Sequence, residues 1–439
     1  MPPAILGVLA CQRDSYLKTL VSRVISCEEV KVSQMSQDSK SKDSKNSKNS
    51  KSKNSKNSKN SKNSEKPESA SDLPLTPLYE VQLEDTILFP EGGGQPSDTG
   101  YLEIGESARH IAVKEVKREE LKAIHVTTEP VAVGENVTMV VDWERRFDHM
   151  QQHTGQHLLS AVLDKRELPT LSWNMGEMIN YIELPRKLTA DELKSIGKEV
   201  NDYITAAIPI YVEVPDQSPE KYDKEKGRLR IVHIGKLDAN PCCGTHMCST
   251  SQIKAIALLN EVSGKGSNSR LNFICGDRVI KYAGHSHQIL KELVGSLTCQ
   301  QEMLPEKVRT LAKDNRKLQT RESNLLKEIA IFEAEELKRK LQDHKVVYHH
   351  RSDADLAYIF HIFKQMSPLA EGTVVLLTGE AHQSGAAIVF GNQLDTVLPG
   401  LKERLPSLRG GGKDKFQGKV ACYEKGQLES ALKYLDSLA

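Results

Sequence analysis

The sequence predicts an α+β protein of several parts: a β-barrel N-terminal domain, an α+β domain built around a metal site, a long helical segment and a small C-terminal α/β domain. Three observations lead there. Short runs of β-formers separated by turn residues recur over the first 141 residues. Two ligand pairs, His153-Thr154-Gly155-Gln156-His157 and Cys242-Cys243-Gly244-Thr245-His246, follow them. Leu304, Leu311, Leu318, Leu325 and Phe332 then repeat every seventh residue.

The 439 residues suffice for about three domains. Net charge is +1, but the charge is segregated. Ser39 to Lys66 holds ten lysines against Asp43 and Glu65, leaving 50 basic and 57 acidic residues elsewhere. Any nucleic-acid contact from the mildly acidic remainder must come from local patches. The eight cysteines are sparse, and three of them cluster beside a histidine, which is metal usage in a reducing compartment and not a secreted disulfide framework. No stretch approaches the ~18 apolar residues of a membrane span, and Pro2 to Cys11 lacks the basic start and small-residue site of a signal peptide. A cytoplasmic protein with no membrane partner is expected.

In chain order, Ser22 to Cys27 and Tyr79 to Phe89 read as strands flanking a Ser-Lys-Asn repeat from Ser39 to Ser64. The repeat has no apolar side chain to bury, so an inserted, disordered segment over about 33–75 is expected inside one β domain. Leu88 to Pro96 reads F-P-E-G-G-G-Q-P from its second residue: a tight turn, with no G-K-[ST] to make it a nucleotide-binding loop. Strands at Ile111 to Val116, Ala123 to Thr127 and Asn136 to Val141 would complete the barrel.

Asp142 is a candidate N-cap for a helix reaching Leu163, with Phe147, Met150, His157, Leu158 and Val162 at helical spacing. Gly235 to Thr250 lies between strand-like Leu229 to Ile234 and Ile253 to Leu259. Leu304 to Leu341 is a helix with Pro305 in its first turn. Its second heptad register, Val308, Asn315, Glu322, Ile329 and Glu336, is half polar. That favours a helical hairpin, or a homodimer through residues 304–341 with Asn315 setting register. Apolar strands within Gly372 to Phe390 and a helix from Gln427 to Leu438 end the chain. The resulting domains are 1–141, 142–285, 286–345 and 346–439.

His153 and His157 fall one helical turn apart on one face. With Cys242 and His246 they offer three imidazoles and a thiolate, a set that suits zinc better than calcium or magnesium. Ligands drawn from such distant segments argue against a small zinc finger and for a functional site, although a closed structural site stays open. The H-E-x-x-H pattern of zinc peptidases is absent: Thr, Gly and Gln stand between the histidines. Such a site suits hydrolysis of an ester or amide.

H-T-G-Q-H-L-L, C-C-G-T-H and F-P-E-G-G-G-Q-P, in their order along this chain, resemble the AlaX family, free-standing proteins similar to the editing domain of alanyl-tRNA synthetase. Cys11 to Tyr16 and Asp142 to Gln152 look like its long animal form. The resemblance implies a trans-editing deacylase that hydrolyses the ester of mischarged tRNA-Ala, chiefly Ser-tRNA-Ala, with mischarged tRNA-Ala as partner and one zinc per chain. It implies His153, His157, Cys242 and His246 as zinc ligands, Cys242 being preferred to Cys243 for its four-residue offset from His246. It further implies Thr154 as the residue facing the serine hydroxyl and Gly92, Gly93 and Gly94 as a loop at the substrate site, where Thr245 also brings a hydroxyl. No general base stands out, so a zinc-bound water and assistance by the substrate's own ribose hydroxyl both stay open. Arg409 to Lys419 resembles the glycine-rich segment of the synthetase's C-terminal domain that contacts the tRNA elbow, with Lys413, Lys415 and Lys419 on phosphate and Phe416 stacking. Arg145 and Arg146, just before the metal helix, are candidates for the acceptor end. Two rival readings are a zinc-stabilised tRNA-binding protein without turnover and a deacylase for another product such as Thr-tRNA.

Overall fold

A computed structural model describes residues 3–30, 77–105, 109–216, 219, 222–223, 227–369 and 371–438. The expected Ser-Lys-Asn insertion lies outside the described residues. The chain divides into two compact units, Met1–Ile289 and Leu290–Ala439.

In the first unit, a short helix α1 (Ala10–Arg13) precedes six strands: β1 (Thr19–Glu29), β2 (Tyr79–Leu83), β3 (Gly100–Ile104), β4 (Arg109–Glu119), β5 (Lys122–Thr127) and β6 (Asn136–Val141). They close a barrel in the order β1-β2-β5-β4-β3-β6. Closure leaves no edge strand unpaired. Alternate residues point inward, so Val24, Val81, Leu102, Ile111, Val137 and Met139 fill the interior. Glu29 pairs with Tyr79, and Val30 N–H donates to the Leu78 carbonyl at 2.8 Å. The described chain therefore leaves β1 and rejoins β2 at adjacent points. The predicted strand to Phe89 is shorter than expected. β2 ends at Leu83, and Ile87, Leu88 and Phe89 pass under the barrel as a buried loop pinned by Asp98, which accepts the Phe89 N–H.

Helix α2 (Trp143–Asp164) follows, capped by Asp142, whose side chain accepts the Arg145 N–H. Helix α3 (Ala190–Thr205) is capped by Thr189 with Glu192 in reciprocal contact. Around them lie a four-stranded sheet of β7 (Ser172–Asn174), β8 (Asn180–Leu184), β12 (Ile256–Ser263) and β13 (Ser269–Cys275), ordered β12-β13-β8-β7, and a three-stranded sheet β11-β10-β9 formed by β9 (Ile210–Glu213), β10 (Ile231–Ile234) and β11 (Asp238–Pro241). Leu158, Leu159 and Val162 of α2 pack with Ile196 and Val200 of α3 and Ile182, Leu271 and Phe273 of the sheet. Burying each such side chain stabilises the unit by roughly 2 kcal/mol. Helix α4 (Asp277–Leu297) carries the chain into the second unit.

That unit opens on α5 (Leu304–Lys340). A five-stranded sheet follows, ordered β14-β15-β16-β18-β17: β14 (Val346–Arg351), β15 (Thr373–Thr378), β16 (Gly385–Gly391), β17 (Leu408–Gly411) and β18 (Lys415–Val420). β14 and β15 are parallel, joined through α6 (Leu356–Met366); the other pairs are antiparallel. Helices α7 (Leu394–Arg404) and α8 (Gln427–Asp436) bury Val397, Leu401, Ala431 and Leu435 in one cluster, while Ile359 and Ile362 of α6 join Ala330, Ala334 and Leu337 of α5 in another. Only the last third of α5 is held this way. The heptad leucines Leu311, Leu318 and Leu325 and Phe332 are exposed, Phe332 at 70%.

The glycine-rich Arg409 to Lys419, read from the resemblance as a tRNA-contacting segment with Phe416 stacking, spans β17 and β18. It is an edge hairpin, with Gly410 opposite Gly418. Phe416 is buried at 1% exposure and cannot stack on a base. Among the described residues, no helix is long and apolar enough to cross a membrane.

Candidate metal site

Helix α2 is buried from His149 to Leu163, so its histidines face protein, not water. His153 and His157 lie on one face with ring centroids 5.2 Å apart. The turn after β11 brings Cys242 and His246 against them. Cys242 Sγ lies 3.4 Å from His153 Nε2 and 3.3 Å from His246 Nε2, and the ligand atoms of all four side chains fall within 4.8 Å of one another. Zinc bonds of about 2.0–2.3 Å in a tetrahedron place neighbouring ligands roughly 3.3–3.8 Å apart. The donor set and its spacing fit that ion, and the cluster can hold a metal.

Two features force the turn into place. A Cβ on Gly244 would stand 2.2 Å from the His153 ring, so only glycine allows the approach. The buried Arg230 guanidinium donates Nη1 to the Cys242 and Gly244 carbonyls at 3.0 and 2.9 Å, and Nη2 to the Gln12 carbonyl at 2.8 Å. Gln12 Nε2 adds a bond to the Cys243 carbonyl at 2.7 Å.

The imidazoles are oriented from outside the cluster. Gln95 Oε1 accepts the Thr245 N–H at 3.1 Å and faces His153 Nδ1 at 2.8 Å, so Nδ1 is the donor and Nε2 keeps its lone pair toward the cluster. Gln95 Nε2 donates to Thr245 Oγ1 at 2.9 Å. Thr154 Oγ1 accepts the Met247 N–H at 3.0 Å and lies 3.4 Å from His246 Nδ1. Burial holds all three histidines neutral: His157 is pushed down to about 4, and His153 and His246 fall well below the usual imidazole range. Burial also raises the Cys242 thiol to about 12. A cation would be needed to draw off that proton, so metal binding here releases one.

Gly92 and Gly93 pass over Cys243: their Cβ positions would lie 3.5 and 3.2 Å from its Sγ. Gly94, at φ +83°, faces Trp173, whose ring a Cβ would approach to 2.6 Å. Trp173 lies 5.0 Å from the His153 ring centroid to centroid. The glycine run thus lies over the wall of the site through Cys243 and Trp173.

Of the residues singled out in the sequence, His153, His157, Cys242 and His246 converge, with Thr154, Thr245 and Gly92 to Gly94 around them. Both threonine hydroxyls are buried and bonded within the site. Arg145 lies at the surface nearby, its Nε donating to the Ser97 carbonyl at 3.1 Å. Arg146 does not fit an acceptor-end contact. It is wholly buried, ion-paired to Asp98 and bonded to the Ile87 and Ser15 carbonyls. In the second unit Lys413 and Lys419 are exposed, while Lys415 places its ammonium 4.4 Å from the Phe363 ring centroid and 4.9 Å from that of Phe360. Gln12, Gln95, Trp173 and Arg230 escaped the sequence reading as site residues. Gln95, the last polar residue of F-P-E-G-G-G-Q-P, and Gln12, within Cys11 to Tyr16, stood in motifs without being given a role.

Comparison with known proteins adds a family. Residues 229–274 match the threonyl and alanyl tRNA synthetase second additional domain, and residues 18–145 match the class II (A) tRNA synthetases. The chain is 34% identical to the putative alanyl-tRNA editing protein alaX of Saccharomyces cerevisiae, over 99% of this chain and 98% of the yeast protein. It is 34% identical to alanyl-tRNA editing protein Aarsd1 of Mus musculus over 93% of each. The chain belongs to the alanyl-tRNA editing proteins. An archaeal member, AlaX-L of Pyrococcus horikoshii, is 30% identical over 82% of this chain and 92% of its own. In this editing protein the second-additional-domain match contains Arg230, Cys242, Gly244 and His246, whereas His153 and His157 fall outside both matches.

Proposed function

We propose that this editing protein hydrolyses, in trans, the ester of mischarged tRNA-Ala, chiefly Ser-tRNA-Ala, at one zinc held by His153, His157, Cys242 and His246. The observation that carries the reading is the convergence of those four ligand atoms, from segments far apart in sequence, within a member of this family. Zinc bound there supplies a Lewis acid for an ester carbonyl or for a water. The residues of the chain do the rest. Gln95 and Thr154 orient the imidazoles, Arg230 holds the Cys242 turn, and the glycine run with Trp173 walls the site. Thr154 is assigned to the serine hydroxyl, Arg145 to the acceptor end, and Lys413 and Lys419 to tRNA phosphates. A synthetase pocket cannot strongly reject a small amino acid that resembles alanine, and hydrolysis at a second site supplies the missing discrimination.

The same reading places the protein in the cytoplasm and divides it into a barrel (1–141), an editing domain (142–285), a helical segment (286–345) and a C-terminal domain (346–439). The exposed face of α5 is assigned to a homodimer. The deciding experiment is serine release from Ser-tRNA-Ala, with Ala-tRNA-Ala and Thr-tRNA as controls and zinc assayed in the same sample. Rapid loss of serine with alanine spared is expected, and Cys242→Ala should lose both zinc and activity while keeping its fold. A folded, zinc-loaded wild type inert on all three would return the site to a structural role in a tRNA-binding protein.

A further inference from the structure

Helix α5 is packed at one end only. Ala330, Ala334 and Leu337 dock on α6, whereas every residue from 305 to 325 is exposed, a stretch of about 30 Å. Helices in proteins gain most of their stability from what packs on them, so a bare stretch of this length calls for a partner. Its charge says of what kind. Residues 304–321 carry six cations against Glu306 and Asp314, while 322–340 carry four cations against five acids. In a chain that is mildly acidic outside its Ser-Lys-Asn segment, the first half of α5 is a local concentration of positive charge.

Five of the six cations share a face. At about 100° per residue, Arg309, Lys313, Arg316, Lys317 and Arg321 form a stripe roughly 140° wide and about 18 Å long. Arg309 pairs with Glu306 at 2.9 Å and Lys317 with Asp314 at 3.4 Å, both at exposed positions where water screens the attraction. Lys313, Arg316 and Arg321 have no acidic partner among the described residues.

The exposed Leu311, Leu318 and Leu325 lie on the other side, centred roughly 140° away from the cations. That separation decides between partners. An anionic membrane takes up a helix by its apolar face, and here Asn315 and Glu322 interrupt that face while the cations point away from it. A straight row of cations that can be reached from one side fits instead a polyanion with repeated charges, the backbone of a nucleic acid.

Resting on the reading that this protein acts on tRNA, we propose that the exposed half of α5 is a second tRNA contact, in which Lys313, Arg316 and Arg321 neutralise backbone phosphates. Such a contact supplies affinity and orientation and reads no base. It acts on binding and leaves the chemical step alone.

The test is the salt dependence of binding. Labelled, uncharged tRNA-Ala is titrated with the full zinc-loaded chain by fluorescence anisotropy at several salt concentrations, and serine release from Ser-tRNA-Ala is followed in parallel. Each phosphate neutralised contributes about 0.7–0.9 to the slope of log K against log salt. The triple change Lys313→Gln, Arg316→Gln and Arg321→Gln, which keeps good helix formers at all three positions, should lower that slope by about 2. Binding should weaken about tenfold, with KM rising alike and kcat unchanged. Asp314→Asn, which frees Lys317, should act the opposite way and tighten binding about twofold to threefold; it decides the matter alone if the triple variant does not fold. Normal serine release with slope and affinity unchanged in both variants overturns the stripe and leaves the deacylase standing. So does loss, in the triple variant, of binding to phosphatidylserine vesicles with tRNA affinity intact. If wild type releases no serine yet the slope falls in the triple variant, the deacylase reading fails and the tRNA contact stands.

Discussion

Gln95 sits 58 residues from His153 in sequence, yet its Oε1 fixes which nitrogen of that imidazole faces the metal site. Replacing it by leucine keeps the volume and removes the acceptor. Outer-shell partners of this kind are worth 10–100-fold in metal affinity. Gln95→Leu should therefore weaken zinc binding by that order in a competition titration with a chelator, without unfolding the protein. A second prediction concerns pH. His125, in the barrel, and His149 and His157, on α2, are all held near 4 by burial, below the ordinary 6.5. The unfolded chain thus binds more protons between these values, so stability is full above about 6.5 and is lost as pH falls toward 4. His125 alone, its Nδ1 donating to the Val81 carbonyl at 3.0 Å, accounts for roughly 3 kcal/mol. Melting temperatures of metal-free protein should be level above pH 7 and drop across that window; a level profile down to pH 4 would refute the assignment. The four clustered side chains were legible in sequence because only a few residue types bind zinc and their spacing is local. Gln12, Gln95 and Arg230 were not, since amides and guanidiniums are common and these act across tens to hundreds of residues. Arg146 misled for the same reason: its partner Asp98 lies 48 residues away, and nothing near it in sequence announces burial.

At the scale of elements, periodicity served well where one face is buried and failed where pairing overrides composition. The helices predicted from Asp142 and from Leu304 both form, although the first is buried on every side from His149 to Leu163 and the second leaves most of its apolar heptad exposed. β3, with its Gly100 start, went unread, and its place in the barrel comes from pairing with β4 and β6 on either side. The glycine-lysine run of β17 and β18 reads as a loop by propensity, but β16 templates it into the sheet. On α5, the heptad residues that suggested association are the ones left exposed, while Ala330, Ala334 and Leu337 dock on α6. If the face is a dimer contact, the double change Leu318→Ser and Leu325→Ser should leave the fold intact and shift the protein to monomer in sedimentation. An unchanged monomer in the wild type would remove the contact from consideration.

For the molecule as a whole, the barrel explains how a long polar insertion can be carried without harm. After a register shift between Val24 and Ser26, β1 and β2 pair continuously to Glu29 and Tyr79, so these two residues are already neighbours. Loop length costs little once its ends are held, about 0.6 kcal/mol per doubling. Deleting Ser39 to Ser64 should leave deacylation and melting temperature nearly unchanged. A large rise in KM that low salt reverses would instead make the lysines a tRNA-binding arm.

The two halves of the metal cluster, finally, are made at different times. At synthesis rates of about 5–20 residues per second, the histidines of α2 leave the ribosome several seconds before Cys242 and His246. β13, which packs against α2, comes later still. A nascent chain therefore holds the two histidines first, and the four side chains of the cluster coexist only once His246 has emerged.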